Sequence, residues 1–203
     1  MDGGVERVLE AAVEEGFLTP GAAVDGSSHS LGFLAGTPPP TAGQTAVDLG
    51  SGGGLPGVVL ATRTFCHWYL VDRGERRCRF LEWAVRSLDL SDRVSVLQAD
   101  ATELGRGELR GTVSLVTARG FGPPGATVEC GAPLLAEGGH MVVSEPPEGG
   151  PSRWPEGPLG ELGLADAGCW DVEGAGFRAF VAERRCGDRY PRAWRSILRS
   201  PLF

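Results

Sequence analysis

Between residues 45 and 143, short apolar runs alternate with stretches of helical periodicity. Residues 45–49, 67–71, 94–97, 113–116 and 141–143 have the length and composition of strands, and residues 56–62, 75–88, 101–104 and 127–135 lie between them as helices. Such a chain builds βαβ units, and right-handed crossovers place the helices on both faces of a parallel sheet. Residues 169–172 and 177–183 read as a closing antiparallel pair. The expected architecture is therefore α/β, a mostly parallel, twisted, seven-stranded sheet with an antiparallel strand near the C-terminus. A length of 203 residues suits one domain of this kind.

The expected division is an N-terminal helical and loop extension at 1–42, a ligand-binding domain at 43–184 and a basic tail at 185–203. In the extension, Val5, Val8, Leu9, Ala12 and Val13 share one helical face, Gly16 stops that helix, and a short helical piece falls near 29–34. Residues 144–160, rich in Pro, Gly and Glu, read as loop, and Trp83 reads as a core residue of helix 75–88.

The sharpest local signal is Val47-Asp48-Leu49-Gly50-Ser51-Gly52-Gly53-Gly54-Leu55-Pro56-Gly57, which closes the first strand and opens a helix. In an open α/β sheet this is where ligands bind, and glycines there let bare backbone approach the ligand. Asp72 ends the next strand, where an acid can accept from both hydroxyls of a ribose. Asp100 follows the third. Gly52–Gly57 also matches the dinucleotide fingerprint, with Asp72 about 20 residues on. Against that, Asp48 precedes the first glycine. A carboxylate there opposes a pyrophosphate, which wants free amides, and suits the positive sulfonium and ammonium of S-adenosylmethionine. The residues favour S-adenosylmethionine over a dinucleotide or a purely structural turn.

Composition limits the partners. The net charge of −7 excludes a general polyanion-coating protein, and all 19 basic residues are arginine, as GC-rich codon usage produces. The charge is uneven, however. Residues 184–203 hold six arginines against Asp188, a net of +5, leaving −12 on the remainder. Tyr190, Trp194 and Phe203 interleave with Arg189, Arg192, Arg195 and Arg199, a mixture suited to unstacked RNA bases and phosphates. The alternative is a basic tail that pairs with the acidic body. Arg73, Arg76, Arg77 and Arg79 form a second cluster, read first as a solvated helix face. Five cysteines without a CxxC pair read as reduced cytoplasmic thiols, and neither they nor the three scattered histidines suggest a metal site. The acidic N-terminus reads as no signal peptide, and no apolar run is long enough to span a membrane.

The stretches DLGSGGGLPG, YLVDRGERRCRFLEWAVRSLDL, QADATEL and LVTARGFGPPG, followed by an RYPR…PL ending, resemble the RsmG/GidB family over about residues 29–145 and again at the tail. These are bacterial 16S ribosomal RNA guanine-N7 methyltransferases with a Rossmann-like class I methyltransferase fold. The resemblance implies an S-adenosylmethionine-dependent enzyme acting on 16S ribosomal RNA or the small ribosomal subunit. It implies cofactor contacts from Gly50 and Leu55, from Ala101 and Thr102 beside the adenine, and from Arg119. Asp72 takes the ribose role of class I enzymes, and Asp48, Gly52, Gly54 and Asp100 complete the expected set. The chain departs from the family where Ser144 replaces a lysine after the fifth strand and where the family's D-S-x-G-K-R run reads Asp72-Arg73-Gly74-Glu75-Arg76-Arg77.

Guanine N7 has an in-plane lone pair and needs no general base. The sequence agrees by omission: the Asn/Asp-Pro-Pro-aromatic run used for exocyclic amines is replaced by Thr117-Ala118-Arg119-Gly120, and a Pro-Cys nucleophile is absent. Arg119 reads either as a contact to the cofactor region, a phosphate or a guanine edge, or as a partner of Asp100 or Glu103. A small-molecule methyltransferase and a non-catalytic paralogue that retains the cofactor site are the alternatives.

Overall fold

The computed structural model describes residues 2–147 and 149–203. Its centre is one seven-stranded sheet formed by β1 (Thr45–Leu49), β2 (His67–Asp72), β3 (Val94–Gln98), β4 (Val113–Ala118), β5 (Leu135–Glu145), β6 (Leu164–Val172) and β7 (Ala175–Ala182). The strand order is β3-β2-β1-β4-β5-β7-β6. β1 to β5 run parallel, and β7 is antiparallel to both β5 and β6. The order reverses between β1 and β4, which makes the carboxyl ends of those strands the natural ligand crevice.

Successive side chains of a strand point to opposite faces, and here they divide the core in two. Val47, Val116, Met141 and Phe180 face a cluster closed by α7 (Pro124–Gly131), α8 (Glu156–Glu161) and α9 (Trp194–Arg199). Their neighbours Ala46, Leu115, Val142 and Ala179 face a cluster closed by α1 (Asp2–Glu14), α4 (Gly57–Arg63) and α5 (Glu75–Ser87). Helices thus cover both faces. The flanking segments join these cores: Val8 and Ala12 of α1 are buried in the second, Tyr190 and Ile197 in the first. Arg110 secures the C-terminal segment by donating to the carbonyls of Tyr190 (2.8 Å) and Cys186 (2.9 Å), and Arg106 donates to that of Pro191 (2.6 Å).

Several local expectations differ from the structure. α2 (Pro20–Val24) and α3 (Gly26–Gly32) occupy the stretch expected to be mostly loop. Thr19 Oγ1 accepts from the Ala22 amide at 3.2 Å, and Pro20 sits in the first turn of α2. α8 begins within 144–160, ends at Glu161 and is held by buried Leu159. β5 is eleven residues long because it runs through Gly138 and Gly139, with a register shift against β4. Trp83 is 41% exposed: the buried face of α5 is set by Cys78, Leu81, Ala84 and Val85, and Trp83 falls off it.

Candidate active site

A cleft of about 300 Å³ opens at the carboxyl ends of β1, β2 and β3. Its floor is main chain at Gly50, Gly52 and Gly120, its apolar wall is Val71, Ala99 and Ala101, and its acids are Asp72 and Asp100. Gly52 has φ of +52°, a left-handed conformation that a residue with Cβ adopts only with strain. That turn aims the Gly52 amide at Asp72, whose Oδ2 accepts it at 3.1 Å. Oδ1 of Asp72 accepts from the Gly74 amide at 2.8 Å, and Arg77 Nη1 stands 3.6 Å away. Asp72 is 5% exposed, so its carboxylate faces the cleft and the loop, not bulk water. Asp100 caps α6 (Ala101–Leu104): Oδ1 accepts from the Thr102 amide at 2.8 Å and the Thr102 hydroxyl at 2.7 Å.

The other residues expected around the cofactor are placed differently. Asp48 does not reach the cleft. It is buried beneath the loop, where Oδ2 accepts from the Gly57 amide (3.1 Å) and Oδ1 from the Thr117 hydroxyl (2.7 Å). One carboxylate thus ties β1 to its neighbour β4 and to the start of α4. Gly57 permits this approach, because a Cβ there would lie 2.6 Å from Asp48 Oδ2 and 2.5 Å from Leu70. Gly54 packs on Val58 and Leu81. Leu55 turns to Val5, Leu9 and Val59. Thr102 serves Asp100, away from the cleft lining. Strand and loop alternation decides these directions, and a motif read in one dimension does not contain them.

Burial raises the Asp48 carboxyl to about 6, opposed by the hydrogen bonds from Thr117, Ser51 and Gly57 and by the Arg119 charge. A carboxyl that holds its proton more tightly folded than unfolded stabilises the fold at low pH, and that contribution is lost as the pH rises from about 4 to about 6. Asp48→Asn is expected to remove about 3 kcal/mol of this fall. Urea unfolding at about pH 4 and about pH 7 checks it. Equal pH dependence in the two proteins would contradict it.

Arg119 follows β4 and lies outside the cleft, in an adjoining cavity of about 390 Å³ that shares Gly120 and Phe121 with it. It pairs with neither Asp100 nor Glu103. The carboxylate it feels is Asp48, and burial lowers its pKa. Its Nη1 is buried and has no hydrogen-bond partner among the described residues.

The tail arginines divide. Arg192 gives Nε (2.8 Å), Nη2 (2.6 Å) and its own amide (2.9 Å) to the fully buried carboxylate of Glu129. Arg189 pairs with Glu161 at 2.8 Å. Arg195 and Arg199 are exposed, and among the described residues no ion pair holds them. In the second cluster, Arg76 bonds Glu15 and Arg79 bonds Glu75, whereas Arg73 and Arg77 line the cleft. Sequence reasoning missed two aromatic walls, Phe17 after α1 and Trp194 of α9, the latter packed edge-on against Phe121 at 5.8 Å between ring centres. Both come from segments far from the glycine loop, with no local signal to announce them.

Known proteins share this architecture and sequence. A geranyl diphosphate C-methyltransferase from Streptomyces coelicolor, solved with S-adenosyl-L-homocysteine, superposes with a TM-score of 0.60 at 13% identity, covering 77% of this chain and 79% of that one. A precorrin 8w decarboxylase from Methanobacterium thermoautotrophicum superposes with a TM-score of 0.54 at 17% identity, covering 75% and 88%. These likenesses establish the Rossmann-like methyltransferase fold. In sequence, the ribosomal RNA small subunit methyltransferase G of Kineococcus radiotolerans is 42% identical over 102 residues, 50% of this chain and 39% of that protein. The protein of the same name from Salinispora arenicola is 40% identical over 119 residues, 57% and 49%. The chain thus matches less than half the length of these relatives. The family model for rRNA small subunit methyltransferase G matches residues 30–145, a span that carries the glycine loop, Asp72, Asp100 and Arg119. The chain belongs to the GidB family.

Proposed function

We propose that this protein is a methyltransferase that uses S-adenosylmethionine to modify N7 of a guanine in 16S ribosomal RNA, acting on the small ribosomal subunit in the bacterial cytoplasm. The observation that carries the reading is the Asp72 carboxylate at the edge of a glycine-floored cleft, on the strand next to the point where the sheet order reverses.

The residues fit the cofactor's chemistry. Each Asp72 oxygen already accepts one backbone amide and retains a lone pair for a ribose hydroxyl. Val71, Ala99 and Ala101 offer an apolar slot for the adenine. Both hydrogen bonds to Asp100 fall on Oδ1, which leaves Oδ2 for the adenine amine. Gly50, Gly52 and Gly120 present main chain to the amino-acid end. Asp72 and Asp100 share the cleft with Arg73 and Arg77, so it is the placement of the two acids, not the net charge of the lining, that supports a nucleoside with a free ribose. The cofactor, when bound, supplies an electrophilic methyl group on a positive sulfur. Guanine N7 carries no proton at neutral pH, so the task of the chain is alignment, worth up to about 7–11 kcal/mol in favourable cases.

Small subunits from cells lacking this protein, incubated with it and labelled S-adenosylmethionine, are expected to gain chemical cleavage at one N7-methylguanine of 16S RNA. Label found only in a small-metabolite fraction would overturn the assignment. A small-molecule substrate is the second reading, favoured by the engagement of Arg189 and Arg192 within the protein. Of the four tail arginines expected at the RNA, Arg195 and Arg199 are the two without an ion pair among the described residues. Replacing both by alanine is expected to weaken binding to a ribosomal RNA fragment and to flatten its log–log salt dependence by about 0.7 for each lost phosphate contact. An unchanged slope would remove them from the RNA interface.

A further inference from the structure

The three aromatic rings of the tail have different fates. Tyr190 is buried, and its hydroxyl donates to Glu161 at 3.0 Å. Phe203 packs edge-on against Trp154, 6.2 Å between ring centres. Trp194 is half-buried and lines the cleft of Asp72 and the glycine loop. Three other indoles, those of Trp68, Trp154 and Trp170, donate their N–H within the fold, to Thr64 Oγ1, Glu145 and the Gly32 carbonyl. The Trp194 N–H has no such acceptor among the described residues, so packing alone holds this ring at the cleft. Its place is fixed from both sides. Before it, Arg192 is anchored on the buried Glu129, and Arg110 and Arg106 hold the carbonyls of Cys186, Tyr190 and Pro191. After it, Ile197 is fully buried. Phe121 meets the indole edge-on at 5.8 Å and itself lies against the bare backbone of Gly50, where a Cβ would come within 2.9 Å of the Phe121 ring. Gly50, Phe121 and Trp194 thus follow one another along the lining of a cleft that also holds Ala99 and Ala101.

We infer that Trp194 is a cofactor-binding residue whose indole packs on the adenosine of S-adenosylmethionine, a role that rests on the methyltransferase reading above. An indole brings a large, flat apolar face at a low cost in side-chain entropy, and a heteroaromatic base is the ligand group that best matches such a face. The C-terminal segment then builds the cofactor site as well as an outer surface. The six-residue helix α9 places Trp194 on the cleft and Arg195 and Arg199 in solvent. This separates Trp194 from the arginines with which it interleaves in sequence: they share a strip of chain, not a function. It also gives the Arg192–Glu129 pair a purpose beyond stability, since that pair sets the chain two residues before the indole.

The test titrates the full chain and its Trp194→Ala, Trp194→Phe and Trp83→Phe variants by calorimetry and by indole fluorescence. The ligands are S-adenosylhomocysteine and 5′-methylthioadenosine, which keeps the adenosine and lacks the amino-acid end. Trp194→Ala is expected to lose at least about fivefold in affinity for both ligands, the lower end of what a base–aromatic contact contributes. Trp194→Phe, which restores a flat apolar ring, is expected to fall between alanine and wild type. Saturation of the wild type is expected to change the indole emission. That change should disappear in Trp194→Phe and persist in Trp83→Phe, whose indole lies outside the cleft. The melting midpoint reports whether each variant is folded, and if the alanine variant is not, the phenylalanine variant and the emission decide. Wild-type affinity for both ligands in the folded Trp194→Ala variant overturns the inference. So does a loss confined to S-adenosylhomocysteine, or a wild type that binds it but not millimolar methylthioadenosine, since either places the binding energy at the amino-acid end. An emission change undiminished in Trp194→Phe also overturns it. If the wild-type chain binds neither ligand, the methyltransferase reading falls and takes the inference with it. If it binds S-adenosylhomocysteine and the Trp194 variants bind as tightly, only the inference falls.

Discussion

Asp72→Ala is expected to weaken S-adenosylhomocysteine binding by about a hundredfold or more. Two losses add. The ligand loses a charged acceptor for its ribose, and a hydrogen bond to a charged group contributes about 1.5–3 kcal/mol. The loop loses its anchor as well, because the same carboxylate accepts the Gly52 amide at 3.1 Å and the Gly74 amide at 2.8 Å. Without it, the left-handed turn at Gly52 has nothing to aim at, and the floor of the cleft is no longer preorganised. Asp72→Asn, which keeps one oxygen for one of the amides, is expected to fall between wild type and alanine. Calorimetric titration of the three proteins checks the order. Wild-type affinity in the alanine variant would remove Asp72 from the site.

Arg192→Ala is expected to destabilise the fold by about 3 kcal/mol, the low end of the cost of breaking a buried ion pair. Glu129 is fully buried and receives three donors from Arg192. Removing the guanidinium strands that charge. For a chain of this size the melting midpoint should fall by about 6–12 °C. Glu129→Gln combined with Arg192→Ala should recover part of the loss, since no charge is then left unpaired. Arg195→Ala and Arg199→Ala should leave the midpoint nearly unchanged, because both side chains are exposed. The same loss at all three positions would mean that the Glu129 contact does not hold the tail. The arginine also fixes the chain two residues before Trp194, so cofactor affinity should weaken along with stability.

What the sequence made legible was local. The strand–loop–helix run at 45–63 and the acids at successive strand ends are short-range patterns, and the sheet follows from their alternation. Directions and long-range partners were not legible. Asp48 sits in a central strand buried on both faces, and nothing in the motif says that its carboxylate turns under the loop to Thr117, 69 positions away. Leu55 lies in the glycine loop yet belongs to a contact with α1. The tail arginines have the composition of an RNA-binding strip. Two of the four are instead paired with Glu129 and Glu161, which the fold brings back from 63 and 28 residues away. Phe17 and Trp194 reach the cleft from opposite ends of the chain.

A crystal structure with S-adenosylhomocysteine decides whether the glycine turn and Asp72 form the cofactor site. The nucleoside is expected over Gly50 and Gly52, with both ribose hydroxyls within hydrogen-bond distance of Asp72 and the adenine against Ala101. A ligand bound elsewhere, or a cleft that stays closed by Phe17 and Trp194 at saturating ligand, would contradict it.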